Sequence, residues 1–191
     1  MSFLPQNYEA PADGSRYFKL KKGENKFRVL GSAIVGNEYW IEKEGKRHPI
    51  RKRIGEQIMT QDLEGGDGNA VKHFWAFPIW DIAESQVKIF EITQKGIRKD
   101  LQKIIDDSDW SDPLLYDLVI HREGDGLETE YSVSTKLPKP LTAAQEKVWK
   151  DIKTNGFNLD ELFLGGDPFT PTHTATQTVG SEEINIDDID I

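Results

Sequence analysis

The chain has 191 residues, no cysteine and a formal net charge of −9, with 37% hydrophobic and 30% charged residues. This length suits one domain of roughly 150 residues with appendages, and the lack of cysteine excludes a disulfide framework, a catalytic thiol and a cysteine-ligated zinc site. No apolar run approaches the ~18 residues of a membrane span, and the N-terminus lacks the basic and apolar regions of a secretory signal. We therefore expect a soluble, intracellular protein.

The negative charge is concentrated at the C-terminal end of the sequence. Residues 167–191 contain six acidic side chains and no lysine or arginine, and so carry −6 of the net charge of −9. The other 166 residues are almost balanced, with 24 basic and 27 acidic side chains. An acidic total therefore does not exclude a nucleic-acid ligand for the rest of the chain.

The N-terminal part of the chain is first irregular and then extended. Residues 1–15 are rich in Pro, Asn, Ala and Gly and predict an irregular arm, whereas residues 17–42 hold short runs typical of strands. Gly36-Asn37, between two such runs, predicts a hairpin turn. The basic run KEGKRHPIRKR (43–53) and the glycine-rich segment QDLEGGDGN (61–69) predict loops.

An aromatic-rich strand and a second hairpin follow. The segment VKHFWAFPIWDI (71–82) is too rich in aromatic residues for an ordinary helix and predicts a strand. Pro78 within it indicates a bulge or an edge position. After the turn AESQ (83–86), residues 87–92 complete the hairpin.

Helical periodicity appears twice in the remaining sequence. Residues 94–107 place apolar side chains at helical spacing and predict a short amphipathic helix. Residues 116–135 then predict a third hairpin, around the turn EGDG. Thr142 with Gln145 three residues later forms a capping box, which predicts a second helix from Thr142 to about Lys153.

The predicted order is strand, strand, strand, helix, strand, strand, with an added C-terminal helix. It favours a mostly β (α+β) fold, namely a five-stranded OB-type Greek-key barrel with one helix between strands 3 and 4. A β-rich α+β domain of another topology is the alternative. The domain spans residues 16–165, and the acidic tail, residues 166–191, has a threonine-rich stretch without an apolar face, which predicts disorder.

No catalytic motif stands out. The sequence has no phosphate-binding loop, dinucleotide fingerprint or nucleophile elbow, and its four histidines lack the spacing of a zinc site. Asp106, Asp107, Asp109 and Asp112 do not match an EF-hand, and we interpret them as a solvated helix end and turn. We expect no enzymatic activity, no metal and no cofactor.

The basic run is a local positive patch in an acidic chain. It holds six positive charges against one negative charge within 11 residues, as phosphate neutralisation requires. A solvated loop without a ligand is the alternative, and lysines around the second hairpin add charge nearby. The predicted phosphate contacts here are Lys46, Arg47, Arg51, Lys52, Arg53, Lys72 and Lys88.

The segment 71–82 is apolar on both of its alternating faces, and only one face can fill the interior of a small barrel. Bases stacked on exposed rings would cover the other face, at roughly 1–3 kcal/mol per base. Packing beneath the C-terminal helix or against a dimer partner is the alternative. The predicted stacking residues are Tyr39, Trp40, Phe74, Trp75, Phe77 and Trp80.

The C-terminal sequence SEEINIDDIDI combines acidic side chains with regularly spaced isoleucines. Since a tail for solubility alone does not need isoleucines, the pattern predicts a motif that docks in a basic, apolar groove of a partner protein or on the chain's own basic cleft. A solubility tail is the alternative. The predicted partner-binding residues are Glu182, Glu183, Ile186, Asp187, Asp188, Ile189, Asp190 and Ile191.

Several dispersed segments resemble single-stranded DNA-binding proteins of tailed bacteriophages. They are YFKLKKGENKFRVLGSAIVGNEYW, KHFWAFPIWD, QVKIFEITQKGI and DWSDPLLYDLVIHREGDGLETEYSV, and with the acidic C-terminus they cover about residues 16–140 and the tail. The resemblance implies an OB fold, sequence-independent binding of single strands, and roles in DNA replication, recombination and repair in the host cytoplasm. It also implies a tail that recruits replication proteins and regulates access to DNA.

The resemblance favours DNA contact by Arg28 in the FRVL motif, by Trp40, by the basic run and by the FWAF segment. Two departures matter. First, cellular proteins of this function end in an acidic tip closed by Pro-Phe, whereas this chain ends in Asp-Ile-Asp-Ile, which predicts a different partner. Second, some phage versions hold a zinc ion through cysteine and histidine, and this chain, without cysteine, is not expected to do so. Our hypothesis is a sequence-independent single-stranded DNA-binding protein, with a homodimer left open. An interaction module acting through its tail is the alternative.

Overall fold

Seven antiparallel strands form one sheet in the computed structural model, which describes residues 15–59 and 71–171. Two α-helices and two short 3₁₀ helices accompany the strands. The prediction of a mostly β protein with added helices is therefore confirmed. The strands are β1 (Gly23–Val29), β2 (Ile34–Lys43), β3 (Lys46–Arg53), β4 (Lys72–Asp81), β5 (Gln86–Ile92), β6 (Asp117–Glu123) and β7 (Glu130–Thr135), and the helices are α1 (Lys95–Asp106), α2 (Ala143–Thr154) and the 3₁₀ turns Gly126–Glu128 and Leu159–Leu164.

The strands follow one another across the sheet in the order β3-β2-β4-β1-β6-β7, and β5 pairs with β4. Because β5 takes one edge of β4, strands β1 and β2 lie end to end along its other edge. The ladder between them is interrupted opposite Pro78, where the Leu30 N–H donates to the Pro78 carbonyl at 3.0 Å. Pro78 predicts either a bulge or an edge position. Because β4 is paired on both edges, it is not an edge strand, and the interruption fits the predicted bulge.

The predicted hairpin turn at Gly36-Asn37 is wrong, because both residues lie within β2 and pair with β3 and β4. The turn is instead the pair Glu44 and Gly45, whose φ angles of 55° and 72° suit a two-residue hairpin connection. The basic run is therefore strand β3 rather than a loop. The Gly-Asn signal failed because Gly36 serves close packing and not a turn: a Cβ there would lie 2.9 Å from ring carbons of Phe74 and Phe163.

The main core lies on one face of the sheet, under α1. Phe77 and Ile79 of β4 pack there with Phe27 of β1. The helix closes this core with Ile97 and Leu101, which are four residues apart and so share one helix face. The other buried members are Val29, Phe90, Ile92, Tyr116, Leu118 and Ile120.

The opposite face of β4 and β5 is covered by the C-terminal part of the domain. Trp149 of α2, whose predicted capping box is confirmed, packs with Trp80 and Val87. Leu162 of the 3₁₀ helix Leu159–Leu164 packs with Phe74, Ala76 and Ile89. The second apolar face of the aromatic-rich strand is thus buried within the chain itself.

The count of five strands is not confirmed, since the structure has seven. The additional strands arise because residues 23–43 form two strands, β1 and β2, in place of one first strand, and because the basic run forms β3. Within residues 15–59 and 71–171, no backbone pairing joins β7 to β3 or β5, so the sheet is open. The same residues include no helix long and apolar enough to cross a bilayer.

Candidate nucleic-acid interface

The β2–β3 hairpin extends past the strand beside it. Pairing of β2 with β4 ends at Glu38, whereas pairing of β2 with β3 continues to Lys43 opposite Lys46. The outer part of this hairpin, residues 39–50, is called the hairpin arm below. Because β3 is an end strand of the sheet, its free edge faces away from the other strands.

Strand alternation separates the basic residues of β3 onto two faces. Residues directly opposite one another in an antiparallel pair share a face. Arg47, Arg51 and Arg53 lie on one side, called the arginine face, with Trp40 and Phe74. Lys46, His48 and Lys52 lie on the other side, called the lysine face, with His73 and Trp75 of β4. In the sequence these cations form a single patch, which the strand divides between its two faces.

The arginine face is largely occupied by contacts within the chain. The Arg51 guanidinium lies 3.1 Å from Glu38 and 2.7 Å from Glu91, and its Nε–H donates to Glu91 at 2.9 Å. Arg53 lies 3.1 Å from Asp160 and stacks on the Phe163 ring at 4.4 Å. Of these two predicted phosphate contacts, Arg51 therefore joins the base of the arm to β5, and Arg53 joins it to the C-terminal segment.

Two carboxylates share the buried environment of Arg51. Burial raises the pKa of Glu91, and a hydrogen bond with Glu38 raises it further, while Arg51 opposes both effects; the resulting pKa is about 7. Glu38 also accepts a hydrogen bond from the Trp40 indole N–H at 3.1 Å. The cluster is therefore a structural clamp at the base of the arm, in which the Glu91 carboxyl has a raised pKa.

Trp40 provides the most exposed ring of the predicted stacking set. Its side chain is 38% exposed and lies opposite Pro49 on the arm. The Arg47 guanidinium lies over this ring at 5.6 Å from its centroid. A ring of this kind, with a cation beside it, suits stacking of a base together with contact to its phosphate.

The lysine face carries cations without internal partners. Within the described part of the chain, neither Lys46 nor Lys52 takes part in an ion pair. Lys52 lies opposite Asn37, which in turn lies opposite His73, so the three residues form one row across β3, β2 and β4. Trp75 follows His73 on the same face, is half-buried, and donates its indole N–H to His73 Nε2 at 3.2 Å.

Two other predicted phosphate contacts are buried in ion pairs. Arg28 is 1% exposed and lies 2.6 Å from Asp117, so its side chain is not accessible for the DNA contact that the resemblance favours. Lys88 is buried 2.9 Å from Asp81, and so it lies away from the surface too. Lys72 is exposed at the start of β4 and is accessible to a ligand.

Four of the six predicted stacking residues are buried: Tyr39, Phe74, Phe77 and Trp80. Phe77 belongs to the main core, and Phe74 and Trp80 lie beneath the C-terminal segment. The accessible set thus contracts to Trp40 and Trp75.

The lysine face also holds residues that the sequence analysis did not select. Val35 is 44% exposed and lies opposite Trp75, and Asn37 and His73 form the next row on the same face. Asn37 lies two residues before Tyr39, and His73 lies two residues before Trp75. This spacing indicates a shared face, but only once residues 34–43 are assigned to one strand.

The cluster of aspartates near the end of α1 forms hydrogen bonds with the backbone of the same turn. Asp107 Oδ1 accepts from the Asp109 N–H and Asp112 Oδ1 from the Leu114 N–H, each at 2.9 Å. Within the described ranges, no group of three or more His, Asp or Glu side chains is arranged to hold a metal ion.

The predicted partner-binding residues of the tail, from Glu182 to Ile191, lie outside the described residues. Comparison with known proteins finds no family model and no curated protein that matches this chain.

Proposed function

We propose that this protein binds single-stranded DNA without sequence specificity and is not an enzyme. The observation that carries the proposal is the lysine face. Within the described part of the chain, Lys46 and Lys52 form no ion pair there, and both lie on the same side of the sheet as the half-buried Trp75. Cations on the same face as an accessible ring are what a single strand requires, since its phosphates need charge and its bases need a surface for stacking.

The strand order supports an OB-type assignment as part of this proposal. β1 and β2 lie end to end and take the place of one long first strand, followed by β4 and β5 as the second and third. Helix α1 then lies between the third and fourth strands, and β6 and β7 complete the set, in the order of an OB barrel. The hairpin arm belongs to the connection between the first two strands, which commonly contacts oligonucleotides in this class.

Binding in this arrangement relies on charge and stacking. Phosphates displace counterions at the lysine face, and this release weakens binding as the salt concentration rises. A strand that follows the free edge of β3 also reaches Trp40 on the arginine face. The acidic tail then serves as the site for a replication or recombination protein, as its acidic and isoleucine-rich sequence suggests.

The proposal is tested by titrating tryptophan fluorescence with a dT oligonucleotide and with a duplex of equal length at several salt concentrations. We expect saturable quenching that favours the single strand and fades with salt. In the double variant Lys46→Ala/Lys52→Ala, the magnitude of the slope of log K against log salt is expected to fall by roughly 1.4, about 0.7 for each lost phosphate contact.

The matched control is the double variant Lys99→Ala/Lys103→Ala, which removes the same charge from exposed positions of α1. It should leave the slope close to that of the unmodified protein. If neither ligand changes the fluorescence at low salt, DNA binding is rejected and the chain is better described as an interaction module that acts through its tail.

A further inference from the structure

A half-open apolar cavity of about 250 Å³ lies next to Trp75. Its base is formed by buried residues of the main core, including Phe77 and Leu101. Its rim includes exposed Ala33, from the interruption between β1 and β2, and exposed Asp112, from the turn before β6. The cavity therefore opens at the end of the main core, next to the lysine face.

The size of this cavity suits one aromatic ring with its substituents. An apolar cavity of about 150 Å³ inside a protein is large enough to hold benzene. A nucleobase is a planar ring of the same kind with polar groups on its edge. The apolar lining and the size therefore fit a base better than a hydrated phosphate or sugar.

Trp75 connects the cavity to the face that carries the proposed phosphate contacts. Trp75 lines it and belongs to the same face as His73, which lies in the row that ends at Lys52. Strands are spaced about 4.8 Å apart, so the Cα atoms of Lys52 and His73 are separated by about 10 Å. A strand whose phosphates lie along β3 thus directs its bases toward Trp75 and the cavity.

The rim has a carboxylate that can accept further hydrogen bonds. Asp112 Oδ1 accepts from the Leu114 N–H, and a carboxylate retains further acceptor sites; within the described part of the chain, Asp112 forms no ion pair. A carboxylate accepts hydrogen bonds from the exocyclic amine of cytosine, whereas thymine presents a carbonyl oxygen and a methyl group there. The acidic rim also keeps the phosphates on the side of the lysines.

We propose that this cavity binds one nucleobase of the bound strand, against Trp75, and that Asp112 makes it favour a base with an exocyclic amine over thymine. The inference rests on the proposed function and adds a base subsite to it. Binding remains tolerant of sequence, because only one base in each bound segment enters the cavity.

The test compares the affinities of dC and dT oligonucleotides of about 12 nucleotides by fluorescence anisotropy at one salt concentration. The full-length protein is expected to bind the dC oligonucleotide about threefold or more tightly. Asp112→Asn keeps an oxygen for the Leu114 N–H but replaces the other acceptor with a donor, so it should abolish or reverse this preference.

Asp109→Asn is the matched control, since it removes the same charge from the same turn at a residue outside the cavity lining. Both variants reduce repulsion of the strand, so the ratio of the two affinities, and not either affinity alone, reports on the rim. A second variant, Ala33→Leu, fills the cavity from its exposed rim and should weaken binding of both oligonucleotides.

The outcomes separate this inference from the function on which it rests. If the unmodified protein binds neither oligonucleotide, the proposed function fails. If it binds both and the ratio is the same in the Asp112→Asn and Asp109→Asn variants, only the base subsite is wrong. Unchanged affinity in Ala33→Leu would also overturn the subsite and would leave the cavity to an apolar side chain of a protein partner.

Discussion

Arg28 stabilises the fold through a buried ion pair. Its guanidinium lies 2.6 Å from Asp117 and donates to the backbone carbonyls of Leu114 and Lys139 at 3.4 and 2.9 Å. Burial alone would raise the pKa of the Asp117 carboxyl, but hydrogen bonds from Lys139 and Arg28 outweigh it and lower this pKa below its ordinary value of 3.8. The pair therefore contributes stability above that pH and loses it as the pH falls through the lowered pKa.

We predict that Arg28→Met lowers the free energy of unfolding by roughly 3–5 kcal/mol, because it leaves a buried carboxylate with fewer partners. Urea denaturation measures this loss. The double variant Arg28→Met/Asp117→Leu should regain part of it, since neither charge then remains buried. The folded fraction of Arg28→Met should keep its affinity for single strands; a lower affinity would restore Arg28 as a DNA contact.

Glu91 gives the protein a pH dependence of the opposite sign. Its pKa is about 7 in the folded state, against an ordinary value of 4.5. The folded state thus binds a proton that the unfolded state has already released, and its stability falls as the pH rises from about 4.5 to 7. The groups that face this carboxyl are Glu38, Arg51 and the Tyr17 hydroxyl.

We predict that the difference in unfolding free energy between Glu91→Gln and the unmodified protein rises by on the order of 2–3 kcal/mol from pH 5 to pH 8. Denaturation curves at several pH values measure it, and the subtraction removes the titration of distant groups. Glu130→Gln on exposed β7 is the control, and its difference should stay nearly constant. A constant difference for Glu91→Gln as well would contradict the raised pKa.

Among the elements, the β2–β3 hairpin depends most on a single small residue. Gly36 lies in β2 between Lys52 of β3 and the rings of Phe74 and Phe163, and a Cβ there would be 2.9 Å from carbons of both rings. Real Cβ atoms are essentially never that close to another side chain, so the hairpin or the C-terminal segment would have to shift.

We predict that Gly36→Ala lowers the free energy of unfolding by roughly 1–3 kcal/mol, or about 2–4 °C in Tm for each kcal/mol in a chain of this size. Gly96→Ala is the control, because this glycine of α1 has open space around its Cα; alanine there should be neutral or stabilising by up to about 1 kcal/mol. Equal thermal shifts for the two variants would show that close packing at Gly36 is unimportant.

Sequence patterns predicted the elements whose signals are local. The second and third hairpins and both helices follow from turn residues, helical spacing and the capping box of Thr142 and Gln145, and all appear in the structure. The β2–β3 hairpin was missed because its turn, Glu44-Gly45, lies inside a charged run that resembles a solvated loop. Pairing of β3 with β2 depends on side-chain packing across the arm, which composition does not reveal.

At the scale of the whole molecule, the C-terminal segment decides which aromatic residues are accessible. The sequence correctly indicated that the aromatic-rich strand has two apolar faces. The alternative that this second face packs beneath the C-terminal helix is confirmed by Trp149, which packs with Trp80 and Val87. The sequence does not indicate that residues 159–169 cover the rest of the face, because contacts such as Leu162 with Phe74 and Ala76 join parts of the chain far apart in sequence. The candidate site is thus narrower than predicted, and it lies on the face that this segment leaves open.

The folded part of the chain also extends beyond the predicted boundary at residue 165. Asp167 lies 2.7 Å from Arg16, and Phe169 packs with Phe157 at a centroid distance of 5.2 Å. A deletion that tests the tail must therefore begin after Pro171. A deletion from residue 167 would remove packing together with charge and would confuse the two effects.

We predict that deletion of residues 172–191 tightens binding of single strands several-fold at low salt. The deletion removes five acidic side chains and no lysine or arginine, which changes the net charge from −9 to −4. Repulsion of the phosphates falls accordingly, and the gain in affinity should diminish as salt screens these charges. Fluorescence titration of the deleted and full-length proteins over a range of salt concentrations measures the gain.

A variant of full length in which Gln and Asn replace these five acids separates charge from length, and it should reproduce the tightening. A tail with the same residues in scrambled order should keep the original affinity for DNA if charge alone acts. The same scrambling should abolish docking to a partner protein, since docking depends on the spacing of the isoleucines. Unchanged or weaker affinity after the deletion would mean that the tail does not compete with DNA, and its isoleucine pattern would then serve only a protein partner.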